Sequence, residues 1–143
     1  MTADVAPALA EIDLDAYRHN LDLARRAARG RRVFAVIKGD AYGHGAAALA
    51  RAGRADGFAL ARLDEALALR EAGIEAPMVA MQGAFAPEDY PRAVAADVAL
   101  AIHDDSQVAM LEHVGRLDRP VELWLKVDTG MHRLGVRPDE VDG

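Results

Sequence analysis

The chain has 143 residues, enough for one domain; slightly over half are apolar and few are aromatic, so a core would be built from Ala, Val and Leu. A net charge of −6 argues against a generic nucleic-acid binder, and the lack of cysteine excludes disulfides, thiolate zinc sites and a thiol nucleophile. No window holds the roughly 18 apolar residues of a membrane span, and no basic stretch followed by an apolar one marks a secretory leader, so a cytoplasmic location is expected.

Residues 1 to about 10 are small and unpatterned, and are expected to be frayed or to await a partner. Glu11-Ile12-Asp13 predicts a short extended piece, with Asp13 as N-cap of a helix whose apolar side is Leu14, Tyr17, Leu21 and Ala24. Gly30 is the expected C-cap. From Val33 a rhythm sets in. Strands are predicted to begin near Val33, Gly57, Met78, Val98 and Val121, spaced by 24, 21, 20 and 23 residues. Helical patterns lie between them at 46–52, 63–72, 87–96 and 106–116. Gly53 and Gly73 stop two of these helices, and Asp105 or Ser106 caps the last. Strands alternating with helices at this spacing predict parallel βαβ units with right-handed crossovers.

Two positions stand out for chemistry. The apolar run Val33-Phe34-Ala35-Val36-Ile37 ends in Lys38, at the strand end where α/β folds bind ligands. The sequence has 15 Arg and two Lys, and the other lysine, Lys126, also ends an apolar run. Arg stays protonated, whereas a desolvated Lys can act as nucleophile or base. Along 121–128, Val121, Leu123, Leu125 and Val127 share one face, while Glu122, Trp124, Lys126 and Asp128 share the other. A doubly wound sheet buries both faces and tolerates that pattern poorly. A barrel packs its outer face on helices and gathers polar groups inside, near the top.

The segment Val36-Ile37-Lys38-Gly39-Asp40-Ala41-Tyr42-Gly43-His44-Gly45 resembles the pyridoxal-phosphate attachment motif of the alanine racemase family. Ala usually follows the lysine there; Gly39 stands here, a departure expected to change volume and not chemistry. Leu125-Lys126-Val127-Asp128-Thr129-Gly130-Met131-His132-Arg133-Leu134-Gly135 resembles the other N-terminal signature of that family. The resemblance runs from Glu11 onward. It implies an α/β fold with parallel strands, the N-terminal portion of a (β/α)₈ TIM-type barrel with about five of its eight βα units. Residues 1–143 are then expected to be a partial barrel domain, with the remaining strands and a C-terminal β domain of a longer racemase not included. Such an arc would have two open edges, an aggregation liability.

The same resemblance implies roles. Lys38 would carry pyridoxal phosphate as a Schiff base and act as base on one face of the substrate α carbon. Tyr42 would help seat the cofactor near its phosphate. Arg133 would hydrogen-bond the cofactor's phenolic oxygen and help hold the substrate carboxylate. Lys126 would carry a carbamate that orients Arg133. The implied reaction interconverts L- and D-alanine for cell-wall peptidoglycan, in a homodimer whose second base comes from the partner subunit. By itself the chain is then expected to lack turnover. Two alternatives remain open: a non-catalytic pyridoxal-phosphate carrier on the same barrel, or a racemase for another amino acid such as serine or lysine.

Read without the resemblance, these residues have plainer roles. Lys126 can pair with Asp128 on its own strand face, and Tyr42 can be an amphipathic tyrosine at a barrel rim. His44 reads as structural, and Asp104-Asp105 as a helix cap. Glu112-His113 reads as a solvated helix face, and Asp64-Glu65 as the favourable acidic start of an amphipathic helix. His19 and His103 lack partners at metal-ligand spacing, so no metal is expected.

Overall fold

In the computed structural model, which describes residues 9–141, Asp13 opens the first helix. Its Oδ1 accepts from the Asp15 and Ala16 amides, both at 2.9 Å, and α1 (Leu14–Ala27) follows. The expectation for residues 1–8 lies outside the described residues. The helix stops ahead of Gly30: Ala28 N returns to Ala24 O at 2.9 Å, and Arg29 already has φ of 51°. The remaining elements are β1 (Phe34–Val36), α2 (Lys38–Gly43), α3 (Ala46–Ala52), β2 (Gly57–Leu60), α4 (Leu63–Glu71) and β3 (Met78–Ala80). After them come α5 (Asp89–Ala96), β4 (Val98–Ile102), α6 (Asp105–Val114), β5 (Leu123–Leu125) and a 3₁₀ turn at Pro138–Glu140. The cap of α6 is Asp104 rather than Asp105 or Ser106, because Asp104 Oδ1 reaches Ser106 N at 2.8 Å.

Five parallel strands pair in chain order, β1-β2-β3-β4-β5. A doubly wound sheet reverses its order at a switch point, and this one does not. The alternation of side chains gives the sheet two unlike faces. Phe58, Leu60, Met78, Leu100 and Val98 pack under the helices with Leu49, Leu63, Ala66, Leu69, Tyr90 and Ala93. The other face is small: Ala59, Val79 and Ala99, joined by Phe34 and Met81.

That second face is concave. In a flat sheet β1 and β5 would stand about 19 Å apart, four spacings of about 4.8 Å. Instead Phe34 of β1 meets Trp124 of β5 edge-on, with ring centroids 5.2 Å apart. Phe34 fits because its ladder partner is Gly57, where a Cβ would lie 2.4 Å from the ring. The sheet is an arc of a barrel. Its last strand is shorter than the expected 121–128, and Leu123 and Leu125, expected to pack outward on helices, are 38% and 52% exposed.

The arginines have a pattern that composition did not disclose. Arg18 of α1 donates to Ala52 O at the end of α3, and Arg51 of α3 to Ala72 O at the end of α4. Arg70 of α4 donates to Ala96 O and Asp97 O at the end of α5, and also to Ile74 O and Ala76 O. Each guanidinium satisfies carbonyls that a helix end leaves without partners. These side chains are therefore caps, not generic surface cations. Arg70→Lys should lower stability by about 2 kcal/mol, because a single ammonium cannot replace a fork serving four carbonyls. A lower urea midpoint at unchanged slope would show it; an unchanged midpoint would contradict the assignment.

Candidate active site

Parallel strands put all their carboxyl ends on one edge, and the candidate residues lie along it. Phe34 and Val36 lie on the concave side, and Lys38, which opens α2 just past the end of β1, lines the same cleft as Val36. Trp124 likewise leads to Lys126, whose amide extends the ladder to Ile102 O at 2.8 Å. Lys38, Lys126 and Arg133 line one cleft of about 530 Å³, floored by Val36 and Met81. No acidic residue lines it. Such a volume falls within the range of small-molecule sites, and three cations without a carboxylate favour an anionic occupant.

Lys38 is carried by an unusual turn. Gly39, Asp40, Ala41 and Tyr42 all have φ between 50° and 58° with positive ψ, so α2 is a left-handed helical turn. Each non-glycine residue in this conformation costs roughly 1–2 kcal/mol. Gly39 escapes that cost, and nothing lies within 4 Å of a Cβ placed on it. The departure from Ala at this position therefore bears on backbone conformation, not on volume as the sequence suggested. Three contacts hold the turn. Gly39 N donates to Glu65 Oε1 at 2.9 Å, Ala46 N to Asp40 Oδ1 at 2.7 Å, and His44 Nδ1 to Ala41 O at 2.8 Å. His44 is structural, as expected. Tyr42 stands at the rim, 62% exposed, with its ring centroid 5.9 Å from Lys38 Nζ, and does not line the cleft.

Arg133 comes from the loop after β5. Asp128 N donates to Val136 O at 2.8 Å and Val136 N to Lys126 O at 3.0 Å, so the loop leaves and returns beside Lys126. Gly135 is required at the return, where a Cβ would lie 2.8 Å from Asp128 N. Asp128 organises the interior: its Oδ1 accepts from Gly130 N and His132 N, both at 3.0 Å, and its Oδ2 from His132 Nδ1 at 3.1 Å. The pairing of Lys126 with Asp128 allowed by the sequence is not formed, because the strand ends at Leu125 and the carboxylate turns into the loop.

Three organising residues escaped the sequence reading. Glu65 reaches across to the Lys38 turn, whereas its neighbour Asp64 pairs with Arg92 at 2.7 Å on the surface. Only a tertiary contact reveals Glu65; the helical pattern does not. The Asp-Thr-Gly signature at Asp128 is an Asx-turn signal that pointed to its role. Gln107, 3% exposed, accepts from His103 N and donates to Gln82 O and Ala84 O, joining the ends of β3 and β4. His103 Nε2 also donates to Gln82 O at 3.0 Å. Among the described residues no cluster of His, Cys, Asp or Glu suits a metal ion, and no helix is long and apolar enough to cross a membrane.

Comparison with known proteins bears on this cleft. The family described as alanine racemase, N-terminal domain, matches residues 12–143. The chain belongs to that family. The alanine racemase of Halorhodospira halophila is 52% identical over 136 residues, 94% of this chain and 37% of that protein. The alanine racemase of Shewanella sp. (strain W3-18-1) is 48% identical over 132 residues, 92% of this chain and 37% of its own length. The crystal structure of the biosynthetic alanine racemase from Pseudomonas aeruginosa superposes with a TM-score of 0.83 at 42% identity, covering 90% of this chain and 36% of that one. The chain thus spans a little over a third of the alanine racemases it matches. The arc of five parallel strands is the N-terminal part of their (β/α)₈ barrel.

The Arg133 loop has a testable pH response. Hydrogen bonds from the His132 and Gly130 backbone amides hold the Asp128 carboxyl well below its ordinary 3.8, at about 2. A depressed folded pKa means that its stabilisation is complete above 3.8 and is lost as pH falls towards about 2. NMR shifts of the Gly130 and His132 amides should move together across that window. In Asp128→Asn the step should vanish; a step that survives the substitution would assign it to another group.

Proposed function

We propose that the protein takes part in pyridoxal-phosphate-dependent racemisation of alanine, interconverting the L and D forms for peptidoglycan, with Lys38 holding the cofactor. The observation that carries this reading is the convergence of Lys38, Lys126 and Arg133 on one cleft without an acidic residue, in a chain of the alanine racemase family. The described residues fit the cofactor chemically. An amine at the rim suits its aldehyde, and the cationic lining suits a phenolate and carboxylates. Bound pyridoxal phosphate supplies an electron sink for negative charge developing at the amino-acid α carbon.

The chain's own residues then divide the work. Lys38 Nζ anchors the cofactor and, when free, takes or returns the α proton on one face of the substrate. Arg133 presents a planar fork to the phenolic oxygen and to the substrate carboxylate. Two cations, Lys126 and Arg133, sharing one cleft repel each other. A carbamate on Lys126 removes that repulsion, turning the lysine into an anion that orients Arg133. Val36, Met81 and Leu134 give the cleft an apolar side beside these groups. Tyr42, whose ring centroid lies 5.9 Å from Lys38 Nζ at the rim, helps seat the cofactor near its phosphate. The remaining base and most of the phosphate contacts come from outside these residues, in a cytoplasmic homodimer.

Two experiments test this. Borohydride reduction in the presence of pyridoxal phosphate, followed by peptide mapping, should place the pyridoxyl group on Lys38. Label on Lys126 alone, or on neither lysine, would remove the central assignment. A chimera in which residues 9–141 replace the matched segment of the Pseudomonas aeruginosa racemase should racemise alanine in a coupled D-amino-acid oxidase assay. Lys38→Ala should lower that rate by about 10²–10⁴-fold or more, since anchor and base are lost together. The Lys126 reading has its own check. Lys126→Ala in the chimera should be partly rescued by small carboxylates added to the buffer, and rescue by chloride alone would count against the carbamate.

A further inference from the structure

We propose that Glu65 is a positioning residue for Lys38, an inference that rests on the role of Lys38 given above. The β1–β2 ladder stops just short of Lys38. Its last rung is Ile37 N to Ala59 O at 3.1 Å. In a regular parallel pair the next two donors, Ala61 N and Gly39 N, would find carbonyls on the facing strand, Ile37 O and Ala61 O. Here Ile37 O is taken by Ala41 N at 2.9 Å, because the chain turns into left-handed α2. Both donors are left without ladder partners at the point where the strands separate.

Glu65 supplies both. Its Oε1 accepts from Gly39 N at 2.9 Å and its Oε2 from Ala61 N at 2.8 Å, with Arg62 N at 3.4 Å. One carboxylate thus continues the ladder across a gap that backbone cannot bridge. The consequence for Lys38 is direct. Gly39 N belongs to the peptide plane that includes the Lys38 Cα and carbonyl carbon, so holding it restrains the backbone from which the lysine side chain departs. Ala61, on the other side of the clamp, lines the same cleft as Lys38. The clamp therefore sets the lysine relative to its cleft without touching anything bound there. An acceptor pair is needed, and glutamate has it; glutamine would place an NH₂ against one of two N–H donors.

The test uses Glu65→Gln, with Asp64→Asn as the control for loss of a neighbouring surface carboxylate. In Glu65→Gln the Gly39 amide should exchange about tenfold faster, while Val79 and Leu100 in the sheet keep their protection. Pyridoxal phosphate, titrated by the visible absorbance of its lysine-bound form, should bind about tenfold more weakly to Glu65→Gln and unchanged to Asp64→Asn. Unchanged Gly39 exchange, or unchanged cofactor affinity despite faster exchange, would overturn the proposal. Should Val79 and Leu100 also open, Glu65→Asp serves instead. It keeps both oxygens beside the start of α4 but is one methylene short of Gly39, so Gly39 alone should lose protection; retained protection there overturns the clamp. NMR relaxation of the Lys38 side chain separates the two hypotheses. If the parent protein places no cofactor on Lys38, the racemase reading fails. Lower Lys38 order in Glu65→Gln would still support the clamp, and unchanged order would sink it.

Discussion

The contact of Phe34 with Trp124 sets the geometry on which the rest depends. It joins the first and last strands of a five-stranded sheet across the concave face, and so fixes the curvature. Just past the ends of these two strands lie Lys38, at the start of α2, and Lys126. Above the aromatic rings the two lysines line one cleft, and Arg133 is delivered to the same space by a loop that returns beside Lys126. The apolar contact deep in the arc and the polar cleft at its edge are consequences of one bend. The small residues Ala59, Val79 and Ala99 leave room for it.

Positive charge and backbone strain are both concentrated at this edge, and the strain is opposed by contacts nearby. Three consecutive non-glycine residues of α2 in the left-handed region would cost about 3–6 kcal/mol together. They persist because Asp40 caps α3, His44 returns to Ala41, and Glu65 holds Gly39. Strained backbone held by its surroundings is a feature of sites that orient a side chain for chemistry. The cations differ in support: Lys38 rides on a tightly bonded turn, whereas Arg133 hangs from a loop organised by the single carboxylate of Asp128.

The order of strands and helices was legible in the sequence because an apolar run recurs every 20 to 24 residues with a helical pattern between, and glycine stops two of those helices. The helix at Ala46–Ala52 and the start at Leu63 were read to the residue; α1 and β5 were overrun, since apolar periodicity does not register where backbone bonds give out. Within the cleft, Lys38, Lys126 and Arg133 could be singled out because lysine is rare here and two long signatures frame them. Glu65 could not. Its bond to Gly39 spans 26 positions and depends on α2 being left-handed, and nothing in Gly-Asp-Ala-Tyr announces that hand. The Lys126–Asp128 pairing that the sequence allowed was likewise ruled out by where the strand ends, a matter of sheet geometry.

The arginine caps have a consequence for how such a chain is assembled. Arg18, Arg51 and Arg70 each belong to one helix and complete the end of a later one: α1 serves α3, α3 serves α4 and α4 serves α5. During synthesis, each guanidinium emerges before the carbonyls it will serve. An early unit therefore carries the means to finish its successor, and the successor's helix meets a waiting cap as it forms. For these three caps stability is passed forward, so the loss of one guanidinium is felt first at the later helix end that it serves.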